Sequence, residues 1–241
     1  PMFHFGPTQP YVEMPEWAED PQLRAAMTAC IEAQRDPNLA GDDAFHPHAH
    51  PEDRVSEAAL RVILATGEDI HGIASDSSIS NVICFGAAHI RDAVHNDRVN
   101  ELRRKMDALI EEKVRQTFDA WWPVEARRSG HFWYLDGGYM GWHTNRKAPG
   151  WRIYLTFAEE PGKSFFRYRD PDTDQVVTSI DQHWDARMFL VDPKKPLWHC
   201  VYSSTNRYSF GYVVRRKRAL ASTRRWLSAW REALGGVRRS A

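Results

Sequence analysis

Cysteine is scarce in this chain, and long hydrophobic runs are absent. The three cysteines, Cys30, Cys84 and Cys200, are odd in number and have no short paired spacing. This usage argues against a disulfide framework and predicts reduced thiols in a reducing compartment. No apolar run approaches the length that spans a bilayer, and the first residues lack a charged segment leading into an apolar one. A cytoplasmic location is therefore expected.

Net charge is also lacking, because 32 Lys and Arg residues balance 32 Asp and Glu residues. Such a chain carries no overall field that would favour nucleic acid or a membrane as a partner. The charge is nevertheless uneven, since Glu232 is the single acid among many arginines between Arg215 and Arg239. In 241 residues, a hydrophobic content of 42% is enough to fill the core of one large domain.

The first half of the chain has helical periodicity. Asp20-Pro21 predicts a helix start with proline at the first position, and a second helix is predicted from Val55 to Ala65. The longest helix is predicted after Asn96-Asp97 and ends before Pro123. Its apolar stripe consists of Val99, Leu102, Met106, Leu109, Ile110, Val114, Phe118 and Trp121. A helix with such a stripe is expected to cover a sheet.

From Gly130 the pattern changes to short β-rich segments separated by turn residues. Eight strands are predicted: His131 to Leu135, Met140 to Thr144, Trp151 to Phe157, Ser164 to Arg169, Val176 to Ile180, Arg187 to Val191, Trp198 to Ser203 and Arg207 to Val214. Eight short strands at this spacing make a double-sheet jelly roll. The expected fold is therefore α+β, a double-stranded β-helix (jelly roll, cupin-like) supported by N-terminal helices.

Three parts of one integrated domain are predicted: a helical support region over 1–129, a jelly-roll core over 130–214 and a basic C-terminal helix over 215–241. Trp226 and Trp230 lie one turn apart on this last helix. Either the apolar stripe docks against the barrel and leaves the arginines solvated, or the helix is an arm for an acidic partner, a membrane surface or nucleic acid.

Two histidines and an Arg-x-Ser element point to a specific chemistry. Imidazole suits Fe(II), and a guanidinium fork suits a carboxylate. His143 falls near the end of the second strand, and His199 lies at the start of the seventh. Arg207 and Ser209 alternate along the eighth strand, so their side chains share a face and can bind one carboxylate. The combination is what an iron centre holding a 2-oxo acid needs.

The segment around the first histidine resembles the 2-oxoglutarate and Fe(II)-dependent oxygenases, and within them the prolyl-4-hydroxylase-like branch. Members of that branch carry a Tyr-x-x-Gly element before a His-x-Asp motif. Tyr134, Gly137 and His143 reproduce its spacing.

Later segments extend this resemblance. Tyr154-Leu155-Thr156 looks like the family's Tyr-Leu-Asn segment, and His199 with Arg207-Tyr208 looks like its distal histidine and Arg-Tyr element. The resemblance covers roughly residues 130–214, and the first half of the chain contributes nothing specific to it.

The resemblance implies both a site and a reaction. The implied metal ligands are His143, Asn145 and His199, and the implied cosubstrate contacts are Arg207, Ser209, Tyr134 and Tyr154. The implied cofactors are Fe(II), 2-oxoglutarate as cosubstrate and O2. The implied reaction is oxidative decarboxylation of 2-oxoglutarate to succinate and CO2, coupled to hydroxylation of a C–H bond in a small-molecule or peptidyl substrate.

Asn145 departs from the family, because the usual ligand at this position is a carboxylate. An amide oxygen can occupy the same place but brings no negative charge, so weaker iron binding is expected. The favoured interpretation is an active oxygenase with a weak or two-histidine iron site. The alternatives are a binding-only relative that holds a carboxylate ligand, a site altered to trap a complex, or a replacement ligand elsewhere. The candidates for that ligand are Asp136, Glu159, Glu160 and Asp181.

Other residues carry weaker predictions. Halogenating relatives also lack the carboxylate but have a small residue that leaves space for chloride, and Asn145 fills that space. Arg152, Arg167 and Trp142 are candidate substrate contacts because they fall near the site on predicted strands. The segment His46-Pro47-His48-Ala49-His50 is interpreted as a solvated loop rather than a metal site, since no second cluster completes a coordination set.

Overall fold

The computed structural model describes part of the chain. The described residues are 3–4, 9–35, 49–66, 79–84, 93–119, 124–146 and 148–216. The predicted C-terminal helix and the His46-Pro47-His48 segment lie outside them, so both hypotheses for that helix stay predictions.

The helices of the N-terminal half agree with the sequence periodicity. They are α1 (Pro15–Ala18), α2 (Pro21–Gln34), a 3-10 turn (Pro51–Val55), α3 (Glu57–Thr66) and α4 (Ala93–Thr117). The carboxylate of Asp20 caps α2 by accepting from the backbone N–H groups of Gln22 and Leu23, with Pro21 at the first position. None of the helices in the described ranges is both long and apolar enough to cross a membrane.

Eleven strands are present in the described residues. They are β1 (Phe3–His4), β2 (Tyr11–Glu13), β3 (Ile79–Cys84), β4 (Phe118–Asp119), β5 (Val124–His143), β6 (Gly150–Ala158), β7 (Ser164–Arg169), β8 (Val176–Ile180), β9 (Trp184–Val191), β10 (Trp198–Ser203) and β11 (Arg207–Arg216). Nine of them form one sheet in the order β2-β9-β6-β11-β5-β10-β7-β8, with β3 also paired to β5.

This strand order confirms the predicted jelly roll. One half of the curled sheet consists of β9, β6, β11 and the first part of β5, and the other half of the second part of β5 with β10, β7 and β8. Each neighbouring pair is antiparallel, and strands far apart in sequence become neighbours. The site residues on β5, β6, β10 and β11 are therefore brought together although they are scattered along the chain.

One strand differs from the prediction. The first two predicted strands are a single strand, β5, which contributes to both halves of the sheet. Gly137, at φ +74°, and Gly138 allow the strand to bend where its pairing passes from β11 to β10. A Cβ on Gly138 would meet the carbonyl oxygen of Asn81 at 2.6 Å. Glycines that suggested a turn in the sequence instead permit a close backbone approach inside a strand.

The N-terminal half also supplies strands that sequence periodicity did not reveal. Strand β2 pairs with β9, and β3 pairs with β5. Both are short, and β3 has no clean alternation of buried and exposed residues. Their pairing is set by the sheet edges that they meet rather than by their own pattern.

Helix α4 covers the sheet, as its apolar stripe predicts, but it ends earlier than predicted, at Thr117, so that Phe118 lies in strand β4. Met106, Ile110 and Val114 are fully buried and pack in one core with Trp133 and Tyr208 of the sheet. A second core, inside the barrel, gathers aromatic and aliphatic residues that include Tyr134, Phe166 and Phe189. The helices thus support the sheet from outside, while the inner face is left to form a pocket.

Candidate active site

His143 and His199 are direct partners across the β5–β10 ladder. Opposed residues of an antiparallel pair project to the same face, so the two imidazoles meet, with ring centroids 4.1 Å apart. Both side chains are buried, with exposed fractions of 4% and 2%. The pairing predicted from sequence is therefore present in the structure.

Backbone carbonyls orient both imidazole rings. The Nδ1 of His143 lies 2.8 Å from the oxygen of Gly141, and the Nδ1 of His199 lies 3.0 Å from that of Leu197. A carbonyl only accepts, so each Nδ1 donates and each Nε2 keeps its lone pair. Burial, helped by the neighbouring His143, holds the pKa of His199 well below its usual value. The neutral, Nε2-accepting form is the one that a metal requires.

Asn145 lies beside this pair, in the turn that follows β5. Its backbone has φ +55°, which asparagine tolerates better than most residues, and its carbonyl accepts from the N–H of Ala148 at 2.9 Å. The side-chain Nδ2 is 3.2 Å from the Nε2 of His199. A rotation of the amide by 180° would direct its oxygen toward the same place. Two imidazoles and one amide fit a divalent metal as a neutral set of donors.

No carboxylate takes over the role of the missing acid in the described residues. Three of the four candidate replacements lie elsewhere: Asp136 is exposed, Glu159 pairs with Arg35, and Glu160 accepts from Thr205. The fourth, Asp181, is engaged by two arginines. The described chain contains no group of three His, Cys, Asp or Glu side chains that could hold a metal. The replacement-ligand alternative is therefore wrong for these four residues.

Arg207 lies at the other end of the same pocket. Its guanidinium is 1% exposed, with Nε donating to Asp181 at 2.7 Å and Nη2 to the hydroxyl of Thr156 at 3.4 Å. It lies over the ring of Tyr134, with Cζ 5.1 Å from the ring centroid. The buried Nη1 has no hydrogen-bond partner. A buried charged donor without a partner is costly, so this geometry favours an anionic ligand.

Asp181 holds Arg207 in a network that sequence reasoning missed. Its carboxylate accepts from Nη2 of Arg187 at 2.6 Å and from the hydroxyl of Ser164 at 2.7 Å, in addition to Arg207. Burial would raise the pKa of Asp181, but the two guanidinium groups outweigh it and hold that pKa at about 2. Two cations share one anion, so the network keeps a net positive charge.

A partly open cavity lies between the histidines and Arg207, and its empty space, counted together with the open solvent at its mouth, is about 310 Å³. Its lining residues are Phe132, Tyr134, Met140, His143, Tyr154, Phe166, His199, Val201, Arg207 and Ser209. All of the predicted cosubstrate contacts are among them. The four apolar side chains were not predicted, because a lone Phe, Met or Val on a strand looks the same as any core residue.

Burial raises the pKa of Tyr134 well above the usual value. Its hydroxyl therefore stays protonated and can donate to an anion in the cavity. Tyr154 stacks on Phe189 with ring centroids 5.5 Å apart, which fixes its position in the wall.

The three candidate substrate contacts have different surroundings. Arg167 alternates with Phe166 and faces away from the cavity, where it donates to Thr178 and to the carbonyl of Val55. Trp142 is fully buried among other core residues, and its Nε1 donates to the carbonyl of Ser56. Both lie away from the pocket, contrary to the prediction. Arg152 shares the inner face of β6 with Tyr154.

The chain is similar to known proteins in structure but not detectably in sequence. No family profile and no curated protein sequence matches the chain. A prolyl-4-hydroxylase from Pseudomonas putida is 12% identical over 87% of this chain and 94% of its own, with a TM-score of 0.41. A dioxygenase for auxin oxidation from Arabidopsis thaliana, in complex with 2-oxoglutarate, is 12% identical over 88% of this chain and 85% of its own, with a TM-score of 0.43.

A 2OG-Fe(II) oxygenase family protein from Burkholderia pseudomallei is also similar, at 12% identity and a TM-score of 0.38. The match covers 51% of this chain and 58% of that protein. The strand order of the chain itself defines the fold.

Proposed function

We propose that this protein is a 2-oxoglutarate- and Fe(II)-dependent oxygenase that hydroxylates a C–H bond of a small molecule or of an amino-acid or peptidyl substrate. One observation carries the proposal: two imidazoles whose Nδ1 atoms face backbone carbonyls, beside Asn145, and a buried guanidinium with a spare donor line one cavity. A chelating 2-oxo acid with a distal carboxylate needs both ends at once.

His143, His199 and Asn145 would hold the metal, the histidines through Nε2. When bound, iron supplies the activation of O2 that is coupled to decarboxylation of 2-oxoglutarate. Arg207 and Ser209 would bind the distal carboxylate, and the protonated hydroxyl of Tyr134 would donate to it. Phe132, Met140, Phe166 and Val201 line the cavity with apolar surface, which keeps water away from the reacting centre.

The neutral donor set makes the cosubstrate important for metal binding. In this site the negative charge must come from 2-oxoglutarate, because the protein ligands contribute none. Fe(II) is therefore expected to bind weakly alone and more tightly in the presence of 2-oxoglutarate.

The proposal is tested by adding Fe(II) anaerobically, admitting air and measuring succinate formed against 2-oxoglutarate consumed. Coupled loss and gain support an oxygenase. Absence of Fe(II) binding with and without 2-oxoglutarate would remove the proposal. Because the amide replaces the usual acid, a second candidate is a non-catalytic relative that binds a carboxylate at Arg207. That candidate predicts 2-oxoglutarate binding with no succinate.

Replacing Asn145 by aspartate is expected to tighten Fe(II) binding in the absence of 2-oxoglutarate by on the order of 10–100-fold, the range seen for changes around metal ligands. The added charge is the physical reason, and isothermal titration under nitrogen is the measurement. Asn81→Asp is the matched control, because Asn81 has the same φ of 55° and is absent from the pocket lining. Equal Fe(II) affinity in wild type and Asn145→Asp would mean that position 145 is not a ligand.

Replacing Arg207 by glutamine is expected to weaken 2-oxoglutarate binding by about 10–100-fold, since a hydrogen bond to a charged group contributes about 1.5–3 kcal/mol. Fe(II) affinity without 2-oxoglutarate should not change. Arg169→Gln is the control, because Arg169 pairs with Asp174 outside the pocket. An unchanged 2-oxoglutarate affinity in Arg207→Gln would contradict the assignment.

A further inference from the structure

Arg152 is a buried cation without an acidic partner. Its side chain is 5% exposed, and its single hydrogen bond runs from Nη2 to the carbonyl of Ala148 at 2.9 Å. The buried Nε has no partner. Within the described part of the chain, no carboxylate pairs with it, whereas Arg187 and Arg207 share Asp181. Buried charges in proteins are normally paired, so this one is suited to an anion that the described residues do not supply.

Strand geometry places Arg152 inside the barrel at the metal end. Side chains two residues apart on a strand share a face, so Thr156, Tyr154 and Arg152 follow one another along the inner face of β6. Thr156 contacts Arg207, and Tyr154 lines the cavity. Arg152 comes last, about 13 Å along the strand from Thr156 at roughly 3.3 Å per residue.

Contacts at this end tie Arg152 to the candidate metal site. The carbonyl of Ala148 accepts from Arg152, and the N–H of Ala148 donates to the carbonyl of Asn145 across the turn. Phe189 is the direct partner of Arg152 across β6 and β9, and its ring centroid is 4.8 Å from that of His199. Arg152 thus lies beside a ring that contacts His199, toward the end of β6 that is away from Arg207.

Aromatic residues on the next two strands of the sheet, β9 and β2, lie beside Arg152. Tyr11 on β2 is the direct partner of Phe189, so Arg152, Phe189 and Tyr11 lie side by side on three neighbouring strands. Tyr11 stacks on Tyr168 with centroids 4.3 Å apart. A guanidinium beside such a wall is suited to a carboxylate attached to a planar or apolar group.

We propose that Arg152, which follows the cavity-lining Tyr154 along the inner face of β6 and lies just beyond the residues that line the cavity, binds the carboxylate of the substrate to be oxidised, so that the site accepts an aromatic or apolar carboxylic acid beside the metal. The inference deepens the proposed function and rests on it. It assigns two buried guanidinium nitrogens that lack a partner, Nη1 of Arg207 and Nε of Arg152, to two ligands: Arg207 binds the distal carboxylate of the cosubstrate, and Arg152 binds a second acid. It also narrows the substrate to an anion.

Phenylacetate and its uncharged analogue phenylacetamide are the probes, with binding measured by calorimetry on the protein alone and on protein loaded with Mn(II) and 2-oxoglutarate. Phenylacetate is expected to bind wild type and to bind Arg152→Met at least tenfold more weakly. Phenylacetamide should not distinguish the two. Arg169→Met is the matched control and should behave as wild type. Arg152→Gln removes the charge but can keep a hydrogen bond to the carbonyl of Ala148. This variant therefore separates the loss of charge from the loss of the contact with the turn. It should also bind phenylacetate at least tenfold more weakly than wild type.

The 2-oxoglutarate affinity of Arg152→Met should stay within threefold of wild type. A loss as large as that of Arg207→Gln would mean that Arg152 binds the cosubstrate, and the proposal would be overturned. Equal phenylacetate binding by wild type and Arg152→Met, or no phenylacetate binding by wild type, would overturn it as well. Failure of the proposed function has a different signature: wild type would form no succinate while its Arg152-dependent phenylacetate binding persisted.

Discussion

Asp181→Asn is expected to lower the free energy of unfolding by about 3–5 kcal/mol, the cost of removing one partner from a buried ion pair. The carboxylate is fully buried and bonded to Arg187, Arg207 and Ser164. An amide of the same shape cannot neutralise either cation, so both guanidinium groups would remain buried with uncompensated charge. Urea unfolding of wild type and variant at neutral pH measures the difference.

Asp185→Asn is the matched control. Asp185 lies 3.9 Å from Arg187, but burial raises its pKa, which means that the folded protein does not favour its charged form. Its substitution should cost less than about 1 kcal/mol, as for a weak ion pair. Similar losses in the two variants would show that the Asp181 network is not a special source of stability.

The same network predicts an acid limit to stability. The pKa of Asp181 is lowered from 3.8 to about 2 in the folded protein. A depressed carboxyl pKa stabilises the fold above the unfolded value, and this contribution of about 2 kcal/mol is lost as pH falls through about 2. Between pH 4 and pH 2, the stability of wild type should therefore fall toward that of Asp181→Asn. A gap that stays constant over this range would contradict the ionised state of Asp181.

His199→Ala is expected to weaken metal binding by more than about 100-fold, because altering even a hydrogen-bond partner of a metal ligand costs 10–100-fold. The imidazole is held by Leu197 and faces both His143 and Asn145, so no neighbouring nitrogen can take its place. Titration with Mn(II) in the presence of 2-oxoglutarate measures the loss without turnover.

His183→Ala is the control for this experiment, because His183 is exposed and is absent from the pocket lining. It should bind Mn(II) as wild type does. Retention of wild-type affinity in His199→Ala would show that the metal does not use this histidine. Circular dichroism should show that both variants keep the fold.

Much of the fold could be predicted because its determinants are local. The Asp20 cap, the apolar stripe of α4 and most strand bounds follow from patterns within a few residues of each other. The pairing of His143 with His199 could also be predicted, since both belong to strands whose order is set by the jelly roll. In these cases, local periodicity and resemblance pointed to the same arrangement.

The remaining features depend on contacts that no local pattern encodes. The sequence offers Asp181 only as one of four candidate replacement ligands, because its pairing with Arg187 and Arg207 exists only when β9 and β11 are assembled. Arg167 and Arg152 look equivalent along the chain. The face of the strand on which each lies separates them, and a shift of one position reverses that face.

The continuity of β5 has a consequence for the dimensions of the cavity. Tyr134 and His143 are carried by one strand that bends at Gly137, so the span between the anion-binding end and the metal-binding end depends on the angle of that bend. β11 and β10 take their register from the same strand, and with it they place Arg207 opposite Tyr134 and His199 opposite His143. β5 therefore sets the length of the ligand that fits: a longer or shorter acid could not contact Arg207 and the two histidines at the same time.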